Sequence, residues 1–304
     1  MRDILSAVRT RQWAKNGLLF AGFLFAGRLR DFRDAPEVFA SEVARVLLAF
    51  ACFCALSGAA YLINDWHDIE RDRLHPIKKN RPLAAGKISF RTALFLIGFC
   101  LFVATVTAWL VVKIEAQALY FPLTAVAYFL LTLAYSFVLK NAVIVDVLAV
   151  AAGFVLRIAA GCVALPVEIS RWILFCTFTL ALFIALCKRR AELLELGEAR
   201  ENTRRVLMHY TVPLLDTFIA IAAGLTITAY SLYTFLASES TALQGNRHAL
   251  MMTTIPFVVY GVFRFLLLAH SSPVGGEPEQ ILRDKPMLFN IFLWALWVAV
   301  LTLL

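Results

Sequence analysis

Asn64, Asp68 and Asp72 recur at intervals of four residues directly after an apolar run from Ala44 to Ile63. If the run is a helix that continues past its apolar end, their oxygens stack along one face, with Asp65 beside them three residues before Asp68. Carboxylate and amide oxygens in that arrangement are hard ligands of the kind Mg²⁺ accepts. That ion keeps several waters and reaches a protein through one or two carboxylates plus substrate phosphates. A diphosphate bridged to the protein by a metal is therefore the leading chemistry. Basic residues follow closely, at Arg71, Arg73, Lys78, Lys79 and Arg81, with Pro76 and Pro82 between and after them.

Further polar groups stand at the ends of other apolar runs. They are Arg11-Gln12-Trp13-Ala14-Lys15-Asn16, Tyr135-Ser136 with Leu139-Lys140, Asp146 and Arg157 within one run, and Lys188-Arg189-Arg190-Ala191-Glu192. Packed over a helical bundle they would rim a basic cleft around a metal held by Asn64 and Asp68, with Asp72 next along the face. Simpler readings compete. Bases just inside a span are ordinary topology anchors. The acids could belong to a salt-bridge lattice with Arg71, Arg73 and Lys79. Arg157 could pair with a carboxylate, and Asp146 lies eleven residues before it on nearly the same helix face. Tyr61, three residues before Asn64, could offer its hydroxyl to the same ligand or sit in an interfacial aromatic belt.

The elements that must position these groups are membrane helices. Over 304 residues the chain is 61% apolar and 16% charged, with a mean hydropathy of +0.76, far from the composition of a soluble domain. Nine apolar segments are expected, at Asn16–Gly27, Val43–Ile63, Thr92–Val112, Ala118–Leu139, Val143–Leu165, Trp172–Cys187, Val212–Leu236, Leu250–Ala269 and Met287–Leu304. Most approach the roughly 20 residues that cross a bilayer as helix. The first is short and needs Trp13 and its neighbours, or a tilted course, to count. With the N-terminus inside, 20 Lys and Arg fall on the inner side against seven outside, while Arg157 and Arg264 lie within spans. Basic loops stay cytoplasmic, so the polar cluster is expected on the cytoplasmic face of the membrane.

No cleavable signal sequence is read at the N-terminus, where charged residues meet a short apolar run without a small-residue cleavage site. The six cysteines lie in or beside apolar runs without Cys-x-x-Cys spacing, which disfavours a zinc site or a disulfide framework. A net charge of +8 and a pI near 9.3 suit lipid headgroups and phosphorylated substrates, with no need for nucleic acid.

At these residues the chain resembles the UbiA superfamily of intramembrane prenyltransferases, which carries an Asn/Asp-x-x-x-Asp-x-x-x-Asp motif after the second of nine helices. The resemblance sharpens to the decaprenyl-phosphate phosphoribosyltransferase branch and covers nearly the whole chain. It rests on Arg11 to Asn16, Asn64 to Asp72 followed by His75-Pro76 and Arg81-Pro82, Tyr135-Ser136 with Leu139-Lys140, Phe154-Val155-Leu156-Arg157 with Ala160-Gly161, Lys188 to Leu193, and Tyr260-Gly261-Val262-Phe263-Arg264. Prenyl-diphosphate users in the superfamily have a second acidic motif after the sixth helix. Here Lys188-Arg189-Arg190 stands in that place, and Thr10 replaces a proline common in the branch.

The resemblance implies a single all-α transmembrane domain over residues 1–304. It implies Mg²⁺-dependent transfer of 5-phosphoribose from 5-phosphoribosyl 1-diphosphate to a polyprenyl phosphate. By the same resemblance Asn64, Asp68 and Asp72 hold the metal and act at the leaving diphosphate. Lys15, Tyr61 and Lys78 meet the donor's phosphates, Lys140 and Arg157 its 5-phosphate end, and Lys188 and Arg189 the lipid phosphate. The product would be an early precursor of a lipid-linked arabinofuranose donor. Its arabinose could enter a cell-wall polysaccharide or, in a plant-associated bacterium, a secreted signalling oligosaccharide of the nodulation type. Chain length of the lipid and homo-oligomerisation stay open. The rival readings are a prenyltransferase with an aromatic or haem acceptor, and a transporter of anionic lipid working through Asp146 and Arg157.

Overall fold

The computed structural model describes residues 2–25, 35–74, 78–165, 167–196, 205–236, 250–271 and 284–303. The Arg28, Arg30 and Arg33 loop, His75-Pro76, Arg283 and the loop around Gly275-Gly276 lie outside the described residues. Every regular element among the described residues is helical, as a backbone in lipid requires when no water is present to satisfy it.

Seven helices among the described residues are long and apolar enough to span a membrane. They are α3 (Pro36–His67), α5 (Phe90–Ile114), α6 (Phe121–Phe137, led in by a short 3-10 turn), α7 (Val145–Ala164), α8 (Arg171–Leu196), α9 (Val212–Leu236) and α10 (Ile255–Ser271, also entered through a 3-10 turn). The other helices are α1 (Arg2–Ala7), α2 (Ala21–Phe25), α4 (Ile69–Leu74) and α11 (Lys285–Leu303), the last apolar but shorter. The first expected span differs from the rest. Thr10–Phe20 is a 3-10 helix that passes into α2, entered through a left-handed Arg9 with φ 52°. Eleven residues of 3-10 geometry are unusual, since such runs rarely exceed one turn.

The chain packs as two compact units. One comprises residues 1–140 with 153–169, the other 141–152 with 170–304, so successive turns of α7 belong to different units. In the first, α3 packs along α5 and α6. Its core is built largely from small side chains, Ala49, Cys52, Ala104, Ala108, Ala125 and Ala160 among them, around Phe53, Phe121 and Tyr128. Small residues let helix backbones approach closely where lipid offers no hydrophobic drive for association. The closest approach is at Gly161. A Cβ there would lie 2.1 Å from the carbonyl oxygen of Leu19 in the 3-10 segment. Gly161→Ala is expected to abolish the folded, monodisperse protein in detergent size-exclusion chromatography, because the obstacle is backbone and cannot rotate away.

In the second unit α8 packs along α9, and α10 meets α11. The core there gathers Phe183, Leu186, Leu193, Leu207, Tyr210, Leu215, Ile219 and Phe265. Outside both cores, Phe95, Phe102 and Trp109 of α5 recur at intervals of seven and are 70, 66 and 59% exposed. Seven residues are nearly two helical turns, so the three share one face, and in a spanning helix that face meets lipid.

Candidate active site

The acidic motif sits where α3 stops. Asp68 leaves helical geometry at φ −96° and ψ 10°, and α4 begins at the next residue. The hydrogen-bond register nonetheless runs through the break, with Asp68 N–H donating to Asn64 O at 2.9 Å and Asp72 N–H to Asp68 O at 2.8 Å. The expected continuous helix is thus two helices in one register. What the break changes is burial: Asn64 and Asp68 are half-buried, whereas Asp65 and Asp72 are buried.

All three aspartates carry basic partners. Asp65 Oδ1 accepts from Arg9 at 2.5 Å and from Arg81 at 3.0 Å, and the same Arg81 nitrogen reaches Asp72 Oδ2 at 2.6 Å. Asp68 Oδ2 accepts from Lys140 Nζ at 2.8 Å, and its other oxygen faces His67 at 3.1 Å. A lattice of acids and bases therefore exists. Among the described residues its bases are Arg9, Arg81 and Lys140, instead of the expected Arg71, Arg73 and Lys79. Arg73 instead donates to Ala84 O. The Arg9 guanidinium also lies over the Tyr61 ring, 4.6 Å from its centroid, which fixes that ring beneath the cluster.

Burial pushes the Asp68 carboxyl up, but the Lys140 and His67 hydrogen bonds outweigh it and hold the group below the usual carboxylate range. A carboxyl depressed in the folded state stabilises fully above its unfolded value, about pH 4, and loses that contribution as pH falls through the folded value. The melting temperature in detergent should therefore fall on the acid side of pH 4. Asp68→Asn should flatten that limb, and an unchanged limb would remove the Lys140–Asp68 pair from the account.

A second polar group lies deeper in the same unit. Arg157 is 7% exposed. Its Nε donates to Asn16 Oδ1 at 2.8 Å, one terminal nitrogen to Gly153 O at 2.8 Å, and the other to the Tyr128 hydroxyl at 2.7 Å. Tyr128 lies 3.0 Å from Ser57 Oγ, and Asn16 Nδ2 reaches that oxygen at 3.4 Å, closing a ring of four side chains. Among the described residues every partner of Arg157 is neutral, so the guanidinium charge is buried without a counter-ion. The expected carboxylate pairing is not what holds it. An unbalanced intramembrane cation is costly.

In the second unit, Asp146 is fully buried and faces Arg189 Nε at 2.9 Å. The Tyr210 hydroxyl donates to the other Asp146 oxygen at 3.0 Å and accepts from Ile144 N–H at 2.7 Å. That amide bond helps hold Ile144 at φ 68°, a conformation β-branched residues avoid. Burial pushes the Tyr210 phenol up to about 12, so it stays a neutral donor. Arg189 also meets Glu192 one turn on, and Arg190 pairs with Asp216 at 2.6 Å. Lys188 is half-buried and has no ion pair among the described residues. Lys15 and Lys78 are half-buried in 3-10 segments of the first unit.

The oxygens of Asn64, Asp68 and Asp72 are the donor set Mg²⁺ takes. Among the described residues no three His, Cys, Asp or Glu side chains converge on one point. Two carboxylates and an amide, with the other positions left to water and phosphate, are a donor set of the kind that normally holds Mg²⁺, and here Lys140 and Arg81 pair with the two carboxylates. The residues fit the ion on those terms.

Sequence reasoning named Asn16 and Arg81 only within polar stretches, without a role of their own, and did not single out Arg9, Ser57, Tyr128 or Tyr210. Ser57 and Tyr128 sit inside apolar runs without any local signal. Arg9 and Arg81 looked like topology anchors.

An all-helical membrane bundle with an Asn-x-x-x-Asp-x-x-x-Asp helix end defines a class. The UbiA prenyltransferase family model matches residues 32–193, and the chain belongs to that family. The decaprenyl-phosphate phosphoribosyltransferase of Mycolicibacterium smegmatis is 31% identical over 96% of this chain and 89% of its own. The enzyme of the same name from Mycobacterium tuberculosis is 32% identical over 96% and 91%. Nodulation protein NoeC of Azorhizobium caulinodans is 30% identical over 89% and 83%. The fold is that of a UbiA homolog from Archaeoglobus fulgidus solved with GPP and Mg²⁺, with a TM-score of 0.70 at 19% identity over 99% of this chain and 100% of that one.

Proposed function

We propose that this protein transfers 5-phosphoribose from 5-phosphoribosyl 1-diphosphate to a polyprenyl phosphate at the cytoplasmic face of a bacterial plasma membrane. The observation that carries the reading is identity near 31% along almost the whole chain to enzymes named for that reaction. The site chemistry agrees with it. A lattice of three aspartates and three bases, together with an unbalanced Arg157, suits a donor carrying a diphosphate at one end and a phosphate at the other.

Asn64 and Asp68 would hold the metal, with Asp72 beside them, and Arg81, which pairs with Asp72 in the unloaded protein, would turn to phosphate. Bound there, Mg²⁺ would supply neutralisation of the charge on the leaving diphosphate. Lys15, Tyr61 and Lys78 take the donor's diphosphate. Lys140, released from Asp68, and Arg157 take the 5-phosphate. Lys188 and Arg189 meet the lipid phosphate, whose oxygen attacks the anomeric carbon as the bond to diphosphate breaks. The acceptor is already anionic and needs no strong base.

The test is transfer of label from 5-phosphoribosyl 1-diphosphate into lipid by membranes containing the protein, with polyprenyl phosphate added and Mg²⁺ present or chelated. Metal-dependent lipid labelling supports the reading. Failure in membranes rich in folded protein, with labelling instead from a prenyl diphosphate, would replace it by the prenyltransferase reading.

A further inference from the structure

Arg157 is gripped through neutral side chains that come from three separate elements. Asn16 belongs to the 3-10 segment, Ser57 to α3 and Tyr128 to α6, and all three are buried. A guanidinium only donates, so the Tyr128 hydroxyl oxygen accepts from Arg157 and its own hydrogen is left for Ser57 Oγ, 3.0 Å away. Asn16 likewise accepts from Arg157 through Oδ1, which turns its Nδ2 toward Ser57 Oγ and Cys54 Sγ, each at 3.4 Å. Both branches therefore end on Ser57. Of the five guanidinium N–H groups, three have acceptors among the described residues, counting Gly153 O, and one on each terminal nitrogen is left over. Ser57 stands seven residues before Asn64 on the same helix, nearly two turns. One rigid helix thus sets the interval between this ring and the acidic motif, at about 10 Å of helix rise.

We propose that Asn16, Ser57 and Tyr128 are positioning residues of the donor site: they fix the plane of the Arg157 guanidinium without cancelling its charge, so that its two remaining N–H groups receive the 5-phosphate. This rests on the reading of Arg157 as the 5-phosphate ligand. A carboxylate in the place of Asn16 would hold the side chain equally well, but it would neutralise the cation and leave less attraction for phosphate. Neutral acceptors keep the geometry and leave the charge to the substrate, and donors fixed in advance need no reorganisation when the anion arrives. Linked hydrogen bonds polarise one another, so loss of one hydroxyl loosens the whole ring. The three residues act through Arg157 without touching substrate themselves.

The test is steady-state kinetics of the full chain in nanodiscs, with 5-phosphoribosyl 1-diphosphate and decaprenyl phosphate varied in turn, beside melting in detergent. Tyr128→Phe keeps the ring that packs on Phe53 with centroids 4.7 Å apart and removes only the hydroxyl. It should raise KM for the donor roughly three- to tenfold, the scale of one hydrogen bond, and leave KM for the lipid unchanged. Asn16→Asp separates positioning from support, and serves if the phenylalanine variant does not fold. It keeps an acceptor on Arg157 and gives it a counter-ion, so the melting temperature should hold or rise. Donor KM should nonetheless rise about tenfold or more, because a charge-assisted bond is then lost to the substrate. Ribose 5-phosphate should inhibit both variants less than the parent. A purely supporting role for Asn16 predicts stable Asn16→Asp protein with donor KM unchanged; that result overturns the proposal, as does an unchanged donor KM in folded Tyr128→Phe. Arg157→Met tests the underlying site separately. If it leaves donor KM unchanged, the 5-phosphate assignment fails; if it raises donor KM while Tyr128→Phe and Asn16→Asp do not, only the positioning fails.

Discussion

Asp68→Ala is expected to lower phosphoribosyl transfer by about 10²- to 10³-fold at saturating substrates, the loss typical when one preorganised group at a growing negative charge is removed. Asp68 is the carboxylate of the motif that stays half-open, and its partner Lys140 is itself a proposed donor ligand. Asp65 and Asp72 share one Arg81 nitrogen in the buried layer beneath. Removing Asp68 takes away a proposed metal ligand without exposing that buried pair, so the protein should still fold. The check is initial rate against Mg²⁺ concentration. The variant should need more metal and never recover full rate, whereas near-normal turnover at ordinary Mg²⁺ would eliminate Asp68 from the site. Asp65→Ala should behave differently. It strands Arg9 beside a buried cavity and leaves Arg81 to Asp72 alone, and its main effect should be lost protein, read by melting in detergent.

Arg157→Met should separate stability from activity in the opposite sense. The guanidinium is buried among Asn16, Gly153 and Tyr128 with no counter-ion among the described residues, so its desolvation is poorly repaid in the unloaded protein. Replacing it with an apolar chain of similar length should hold or raise the melting temperature. Activity should fall about 10²-fold or more, mainly through KM for 5-phosphoribosyl 1-diphosphate. Removing one member of a buried hydrogen-bonded charge pair costs roughly 2 to 5 kcal/mol, and the donor's 5-phosphate would be the missing member. A variant that melts far lower yet turns over normally in its folded fraction would make Arg157 a strut between α7 and the 3-10 segment.

Much of the architecture was legible in the sequence because lipid imposes it locally. A run such as Val43–Ile63 must be helical, since no other conformation satisfies its backbone in hydrocarbon, and the structure carries it as α3. The four-residue interval of Asn64, Asp68 and Asp72 also held, because hydrogen bonds one turn apart survive the break at Asp68. The first expected span, Asn16–Gly27, is less regular: its described part runs as 3-10 helix to Phe20 and then as α2, with Leu19 against Gly161, a contact no window of sequence displays.

By itself the sequence determined that this is a helical membrane protein, where its apolar helices lie, and which helix ends carry clustered acids and bases. Tertiary structure alone decided which charge meets which. Arg81 serves Asp65 and Asp72, Lys140 serves Asp68 across 72 positions of chain, and Asp146 belongs to Arg189, which leaves Arg157 to a ring of neutral groups. Helix formation depends on neighbours a turn away, which the sequence spells out. Ion pairing depends on which side chains packing brings within about 3 to 4 Å, and many partners stand equally ready in the sequence.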